Sequence, residues 1–291
     1  MSALAEPMAA APPRRAGAAW RKPGLLVLPL LAFLAVFYLV PVLMMLSRAS
    51  GPALDFAPVQ AALTSGVAAQ VFWITLKVAV ITTLATLVLG YPLALFTAIA
   101  PPWLSRLLLA AVMIPFWSSI LVRSYAWMVL LGRQGMVNEA LIGLGLIETP
   151  MRLLNTSFAV YVGMIHILLP FMVLPIYATM KGIDGRLVWA AENLGAGALS
   201  VLRFVILPLS LPGVFAGVLV VFILCLGFYV TPALLGGPGD LMASMLIAQE
   251  VDLYNWDLAS AYAAVLLVVT LLIVAAFSRL LSLDRVMGAG R

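Results

Sequence analysis

Trp189-Ala190-Ala191-Glu192-Asn193-Leu194-Gly195, followed by Leu207-Pro208 and then Leu211-Pro212-Gly213, is the stretch on which the fold turns, and it lies between two long apolar segments. Upstream, Asp184 is placed as a helix N-cap, because its carboxylate can accept from backbone N–H groups that have no partner inside the helix. Residues 186–194 are helix-compatible, and Gly195 can take the left-handed conformation that ends a helix. Residues 198–206 read as a second helical piece. Pro208 and Pro212 lack a backbone donor and restrict how the chain re-enters an apolar phase. The local prediction is helix, tight turn, helix, membrane span. A short helix closed by glycine in a loop facing water is a surface another protein can grip; a plain connector is the alternative.

Working outward, the chain of 291 residues is 65% hydrophobic and only 9% charged, with a mean hydropathy of +1.16. A soluble domain of this size needs far more polar surface. A hydrocarbon layer about 30 Å thick takes about 20 apolar residues in helix, with the backbone bonded internally. Six segments qualify: 24–46, 71–99, 106–131, 158–180, 208–235 and 258–280. The third is the least regular, since Pro115, Trp117, Ser118, Ser119 and Arg123 interrupt it with a kink or an early end. The first follows Arg14, Arg15, Arg21 and Lys22 but is too long for a secretory signal and reads as a retained anchor. Cys225 is the one cysteine, so no intrachain disulfide is expected, and it reads as a small packing residue in a span.

Lysine and arginine set the orientation. With the N-terminus inside, the inner segments carry Arg14, Arg15, Arg21, Lys22, Arg106, Lys181, Arg186, Arg203, Arg279, Arg285 and Arg291, whereas the outer loops carry Arg48, Arg133 and Arg152. Acidic residues lean outward: Asp55, Glu139, Glu148, Asp240, Glu250, Asp252 and Asp257. Both termini are expected in the cytoplasm, and the net charge of +5 reflects topology rather than affinity for nucleic acid. The domain reading is a cytoplasmic tail over 1–23, a membrane domain over 24–280 containing a loop at 181–207, and a cytoplasmic tail over 281–291. The first tail, rich in Ala and Pro, reads as disordered or loosely held. No internal repeat is visible, which counts against many secondary carriers.

Ala190-Ala191-x-x-x-Gly195 followed by Ile206-x-Pro208 resembles the EAA signature of membrane subunits of bacterial ABC importers. The similarity runs from about residue 70 to 280 and takes in Gly90-Tyr91-Pro92, Pro115-Phe116-Trp117, Leu121-Val122-Arg123-Ser124-Tyr125-Ala126-Trp127 and Leu168-Leu169-Pro170-Phe171. With Gly227-Phe228-Tyr229-Val230-Thr231-Pro232, these phrases are more similar to spermidine/putrescine-type permeases than to sugar or metal-ion permeases. The resemblance implies an all-α polytopic protein with six transmembrane helices, termini inside, in the type I importer permease fold. It also implies that Trp189, Ala190, Ala191, Glu192, Leu194, Gly195 and Ala196 form a coupling helix gripped by an ATP-hydrolysing subunit. The family's glutamate falls on Trp189 here. Glu192 is about one turn further along and offers a carboxylate from the same face, while Trp189 suits an aromatic anchor in a docking cleft.

No Gly-x-x-x-x-Gly-Lys-Ser/Thr occurs, so ATP and its Mg²⁺ are expected in a partner chain rather than bound here. The resemblance further implies a dimer of that cytoplasmic ATP-binding subunit, a second homologous permease subunit and a periplasmic solute-binding protein, all within membrane lipid. Aromatic faces beside hydroxyls suit an ammonium cargo through cation–π contacts, and Phe116, Trp117, Ser118, Ser119, Phe228, Tyr229 and Thr231 are the candidates for its path. Interfacial belts and simple packing use the same residue types. Lys77 reads as a snorkelling side chain. Arg123 is given a structural or gating role, with a carboxylate of the second subunit as one possible partner, because a path for a polycation is not lined with positive charge. His166 reads as a packing or helix-bonding residue. No Cys/His cluster has metal-ligand spacing, no catalytic elbow or carboxylate pair is present, and no span carries the Asp or Glu that an ion-driven carrier needs.

Overall fold

A computed structural model describes residues 23–51 and 55–280. The tails expected at 1–23 (save Pro23) and 281–291, with their six basic residues, lie outside the described residues. The chain divides into two compact units, residues 1–47 and 48–291. The described part of the first is an apolar rod: α1 (Pro23–Leu34), a π-turn at Ala35–Leu39 and α2 (Val40–Ala49), which runs into the second unit. Phe33 and Phe37, four residues apart, stack at 4.7 Å on this rod.

The second unit is helical throughout its described residues: α3 (Ala57–Thr64), α4 (Gly66–Ile99), α5 (Pro102–Met113), α6 (Ile120–Leu130), α7 (Met136–Gly143), α8 (Ser157–Lys181), α9 (Gly185–Asn193), α10 (Ala198–Val201), α11 (Leu207–Leu226), α12 (Val230–Leu235), α13 (Ala243–Asp252) and α14 (Trp256–Leu280). Among the described residues of both units, five helices are long and apolar enough to cross a membrane, six when the pair bent by 100° is counted as one span. α4 is capped by Ser65, whose hydroxyl accepts from Ala68 N–H at 3.3 Å. Its 34 residues extend about 51 Å, well beyond the hydrocarbon thickness.

Two expected spans are corrected. Residues 106–131 do not form one helix: α5 tightens into a 3₁₀ turn at Ile114–Trp117, and α6 leaves at 100°. Pro115 removes a helix donor, and two hydroxyls hold the break. Ser118 donates to Pro115 C=O at 2.7 Å, and Ser119 accepts from Leu121 N–H at 3.3 Å. Residues 208–235 divide differently as well. The helix is continuous from Ala198 to Leu226, then breaks at Gly227 before α12. The helical piece expected over 198–206 and the span expected from Pro208 are one helix, and a π-turn over Leu202–Ile206 widens it just before the proline. Leu207 N–H reaches back to Leu202 C=O, leaving room for the proline ring.

The core lies where α4, α8 and α11 meet. Ala68, Val71, Thr75, Val78, Thr82, Thr86, Gly90, Ala94 and Thr97 recur every three to four residues as the buried stripe of α4. Ser210, Gly213, Gly217, Val221 and Cys225 form the matching stripe of α11. Small residues let membrane helices approach closely, because burial from water does not drive their association. Met172 of α8 is fully buried between them, and a Cβ on Gly90 or Gly217 would meet its Cγ at 3.0 Å or its Sδ at 2.9 Å. Cys225 packs in this core as expected.

Between the bent span and α8, a compact segment is organised by one side chain. Asn138 on α7 is fully buried. Its Nδ2 donates to Gly132 C=O and Met151 C=O, each at 3.0 Å, and its Oδ1 accepts from Met151 N–H at 2.9 Å. Asn138→Ala strands these backbone groups, and a buried unpaired polar group costs about 1–3 kcal/mol. Limited proteolysis of the solubilised subunit is expected to cut within residues 132–151 about tenfold faster in the variant. An unchanged cleavage rate would show that the asparagine does not hold this segment.

Candidate functional site

α9 is built as the sequence predicts. The Asp184 side chain accepts from Arg186 N–H at 2.9 Å and caps the helix. Gly195 has φ +84°, the left-handed region that side chains avoid. Its N–H donates to Glu192 C=O at 2.9 Å, and Ala196 N–H donates to Ala191 C=O at 3.0 Å. These two bonds constitute a Schellman closure. The Ala–Gly spacing of the motif therefore has a local cause: Ala191 supplies the carbonyl and Gly195 the conformation.

No residue of α9 is buried. Trp189 is 66% exposed and Leu194 89%, with Leu187, Ala190 and Glu192 also open; Ala191 and Ala196 are half-buried. Trp189 and Glu192 are three residues apart, hence on one face. Leu199 and Phe204, in α10 and the π-turn, extend the exposed apolar surface. Reading the motif alone stops at Ala196 and misses them; no local pattern sets them apart, since Val201, Leu202, Val205 and Ile206 beside them are apolar as well.

The position of α9 matters mechanically. Three residues join it to α8 and four join it to α10, which continues without interruption into α11. α8 and α11 are both core helices, and the Tyr91 and Ser210 hydroxyls, 3.1 Å apart, tie α11 to α4. A displacement of α9 therefore acts directly on the centre of the bundle.

The proposed path residues fall at the two helix breaks. Phe116 packs edge-on against Phe171 at 5.5 Å and Trp117 at 6.5 Å, and Trp117 is 85% exposed. Ser118 and Ser119 bond the local backbone, as described above. At the second break, Phe228 C=O accepts from Ser244 Oγ at 2.6 Å and Tyr229 is exposed. Thr231 differs from the rest: it is 0% exposed and its hydroxyl lies 2.9 Å from that of Ser124. It joins α12 to α6 and faces no open surface of this subunit. That bond links the helix after one break to the helix after the other.

Arg123 is half-buried on α6. One turn on, Trp127 Nε1–H donates to His166 Nδ1 at 3.2 Å, which gives His166 the helix-bonding role expected of it. Lys77 is exposed on α4. Asp240, counted among the outer acids, is instead nearly buried, accepting from Ser157 Oγ and, at 2.9 Å, from Gly237 N–H. Sequence reading also missed a cleft of about 660 Å³ that gathers Arg48, Asp55, Tyr254, Trp256 and Asp257. There the Arg48 guanidinium lies 6.0 Å from the Trp256 ring. Its two sides are some 200 positions apart, so no local pattern announces it. Among the described residues, no cluster of His, Cys, Asp or Glu has the makings of a metal site.

The fold is thus a helical bundle with one bent apolar pair and enough apolar helices for a polytopic membrane protein, and a capped, exposed helix stands between two of its core helices. Residues 90–287 match the family described as binding-protein-dependent transport system inner membrane component, and the chain belongs to that family: it is an inner-membrane permease subunit of an ABC importer. It is 39% identical over 212 residues to the spermidine/putrescine transport system permease protein PotB of Haemophilus influenzae, covering 72% of this chain and 74% of that protein. It is 33% identical over 222 residues to the inner membrane ABC transporter permease protein YdcU of Escherichia coli K12, covering 72% and 71%. In structure it is similar to a chain of the bacterial alginate ABC transporter crystallised with an alginate-bound periplasmic protein. The TM-score is 0.74 at 19% identity, over 90% of this chain and 96% of that one. The expected importer permease fold is thereby shown, and the ion-driven carrier and intramembrane enzyme readings are set aside.

Proposed function

We propose that this subunit carries a polyamine of the spermidine/putrescine class inward by alternating access, driven by an ATP-hydrolysing dimer that grips α9. The observation that carries the coupling reading is α9 itself: a rigid helix with no buried residue, presenting Leu187, Trp189 and Leu194, and joined at both ends to core helices. Exposed large aromatics on a short helix are the anchors that docking clefts take. Trp189 is the anchor, and Glu192 supplies the carboxylate on its face. ATP and Mg²⁺ reside in the partner. Both chain termini face the cytoplasm, which puts α9 on the same side as the nucleotide.

Nucleotide can drive transport only by binding one conformation better than another. Closure of the ATPase dimer on two such helices, one from this chain and one from a homologous second permease, turns α8 and α11 with their neighbours and opens the path outward. A periplasmic binding protein then releases cargo at the outer face. Interrupted helices in a membrane bundle are tolerated where they line a cavity, so the breaks at 118–119 and 227–229 are where Phe116, Trp117 and Tyr229 meet the solute. Their rings suit ammonium groups, each contact being worth about 0.5–2 kcal/mol. The similarity to relatives named for spermidine and putrescine supports this cargo.

Calorimetry of the cognate periplasmic binding protein against a panel of polyamines and amino acids tests the cargo. Binding of spermidine or putrescine, with ATP-dependent uptake of the same compound by the reconstituted complex, is the expected result. A binding protein that takes no polyamine removes this cargo.

A further inference from the structure

Both branches of the Thr231 side chain are spent inside the bundle. Its hydroxyl lies 2.9 Å from Ser124 Oγ on α6, and Ser124 Oγ–H donates to Ile120 C=O at 2.9 Å. A hydroxyl has one proton to give, so Ser124 accepts the proton of Thr231 and passes its own to its helix. The Thr231 methyl faces α8. A Cβ on Gly163 would stand 2.8 Å from Thr231 Cγ2 and 2.5 Å from Leu235 Cδ1, so the bare backbone at Gly163 is the seat of α12. Ser124, Gly163, Thr231 and Leu235 are all buried.

α6 is held to the core by one face. Ser124 and Trp127 are three residues apart and share it, the first bonded to Thr231 and the second to His166 on α8 at 3.2 Å. Along the chain, α6 meets α5 only through the break at Ser118–Ser119, where the direction changes by 100°. The helix after that break is therefore fastened to α12 and α8, and jointed to its own predecessor. Buried in an apolar bundle, neither hydroxyl has water to turn to, so parting them strands the Thr231 donor.

We infer that Thr231 is a positioning residue for transport: it passes a displacement of α8 to α6, so that the break at 118–119 flexes whenever the core turns. This rests on the α9-driven transport proposed above. α8 carries α12 through the seat at Gly163, and α12 carries α6 through the hydroxyl pair. Phe116 and Trp117 stand immediately before the joint, so the swing of α6 moves the chain directly beside them. Thr231 thus acts on the path through another helix and touches no cargo itself.

The test uses the complete reconstituted transporter, with spermidine uptake and ATP hydrolysis measured together. Thr231→Val keeps the branched shape and removes the donor. It is expected to lower spermidine moved per ATP about threefold, the order an interhelical hydrogen bond supplies in a membrane bundle. Ser124→Ala is expected to match it and the double variant to be no worse than either, because one bond is lost in all three. Thr231→Ser restores the donor and is expected to recover most of the ratio, with the preference for spermidine over putrescine unchanged throughout. In a Cys225→Ala background, Ser124→Cys with Thr231→Cys is expected to transport poorly when reduced and to regain uptake once diamide joins the two thiols, since the helices travel together. This arm decides even where a hydroxyl variant fails to accumulate. Wild-type uptake per ATP in Thr231→Val would overturn the inference. So would a disulfide that stops uptake until dithiothreitol opens it, which means the helices must part, or an altered polyamine preference, which returns Thr231 to the cargo path. A wild-type complex that moves no spermidine sinks the cargo reading instead, and the same variants are then ranked with the solute its binding protein does take.

Discussion

Gly195→Val is expected to cut ATP-driven uptake at least about tenfold while the subunit accumulates normally in the membrane. The argument begins with backbone geometry. A left-handed φ of +84° places a Cβ against the following carbonyl, at a cost of about 1–2 kcal/mol for an ordinary L-residue and more for a β-branched one. No other atom lies within 4 Å of the place a Cβ would occupy, so crowding is not the obstacle. The strain is relieved only by abandoning the conformation, which breaks the Gly195-to-Glu192 and Ala196-to-Ala191 bonds that close the helix. The end of α9 then frays and no longer meets α10 at a fixed angle. The core is untouched, because the residue lies on an exposed connector. Asn tolerates this conformation better than other side chains, so Gly195→Asn is expected to retain most uptake and Gly195→Ala to fall between. ATP hydrolysis measured beside uptake distinguishes uncoupling from loss of the complex. Valine working as well as glycine would show that a rigid knob is not what transmits the force.

The order Asn above Ala above Val follows from a single dihedral angle, and that angle was legible before any coordinates. The cap at Asp184, the helix over 186–194 and the stop at Gly195 each depend on neighbours within about five residues, which a sequence displays directly. The long spans were legible because hydrocarbon thickness fixes how many apolar residues are required. What failed depends on contacts between distant residues or on compensation. Pro208 reads as restricting how the chain enters the span, yet the helix runs through it, because Leu202–Ile206 widens the turn before it. Pro115 and the two serines signalled an interruption, but its 100° angle depends on what α6 packs against. Thr231 reads as a hydroxyl free for cargo until Ser124, 107 positions away, is found opposite it. α3, α7 and α13 were not foreseen, being too short for a membrane signal and held by partners such as the buried Asn138 network.

Gly213→Ala is expected to remove most folded subunit from the membrane, a larger effect than the same methyl added at Gly90 or Gly217. Its Cβ would lie 2.5 Å from both the Pro175 carbonyl oxygen and Thr179 Oγ1, and 2.8 Å from Thr179 Cβ. Two of these three atoms cannot turn aside. The carbonyl belongs to the α8 backbone, and Thr179 Cβ is fixed by it. Thr179 Oγ1 is itself bonded to that carbonyl at 2.9 Å. α11 must therefore move off α8, at a cost at or above the roughly 1–3 kcal/mol of ordinary overpacking. Gly217→Ala is the control, since the first obstacle there is the Met172 sulfur, the end of a side chain that adapts. Thr179→Ala in the Gly213→Ala background is expected to restore only part of the loss, because the carbonyl stays. Size-exclusion chromatography of the solubilised subunit ranks the variants. If Gly213→Ala ran as an intact species at wild-type yield, α8 and α11 would have to sit farther apart than described here, and a displacement of α9 would reach them as two loosely coupled helices. The coupling argument needs them in contact, because α9 joins one to the other and can turn them together only if neither can slip.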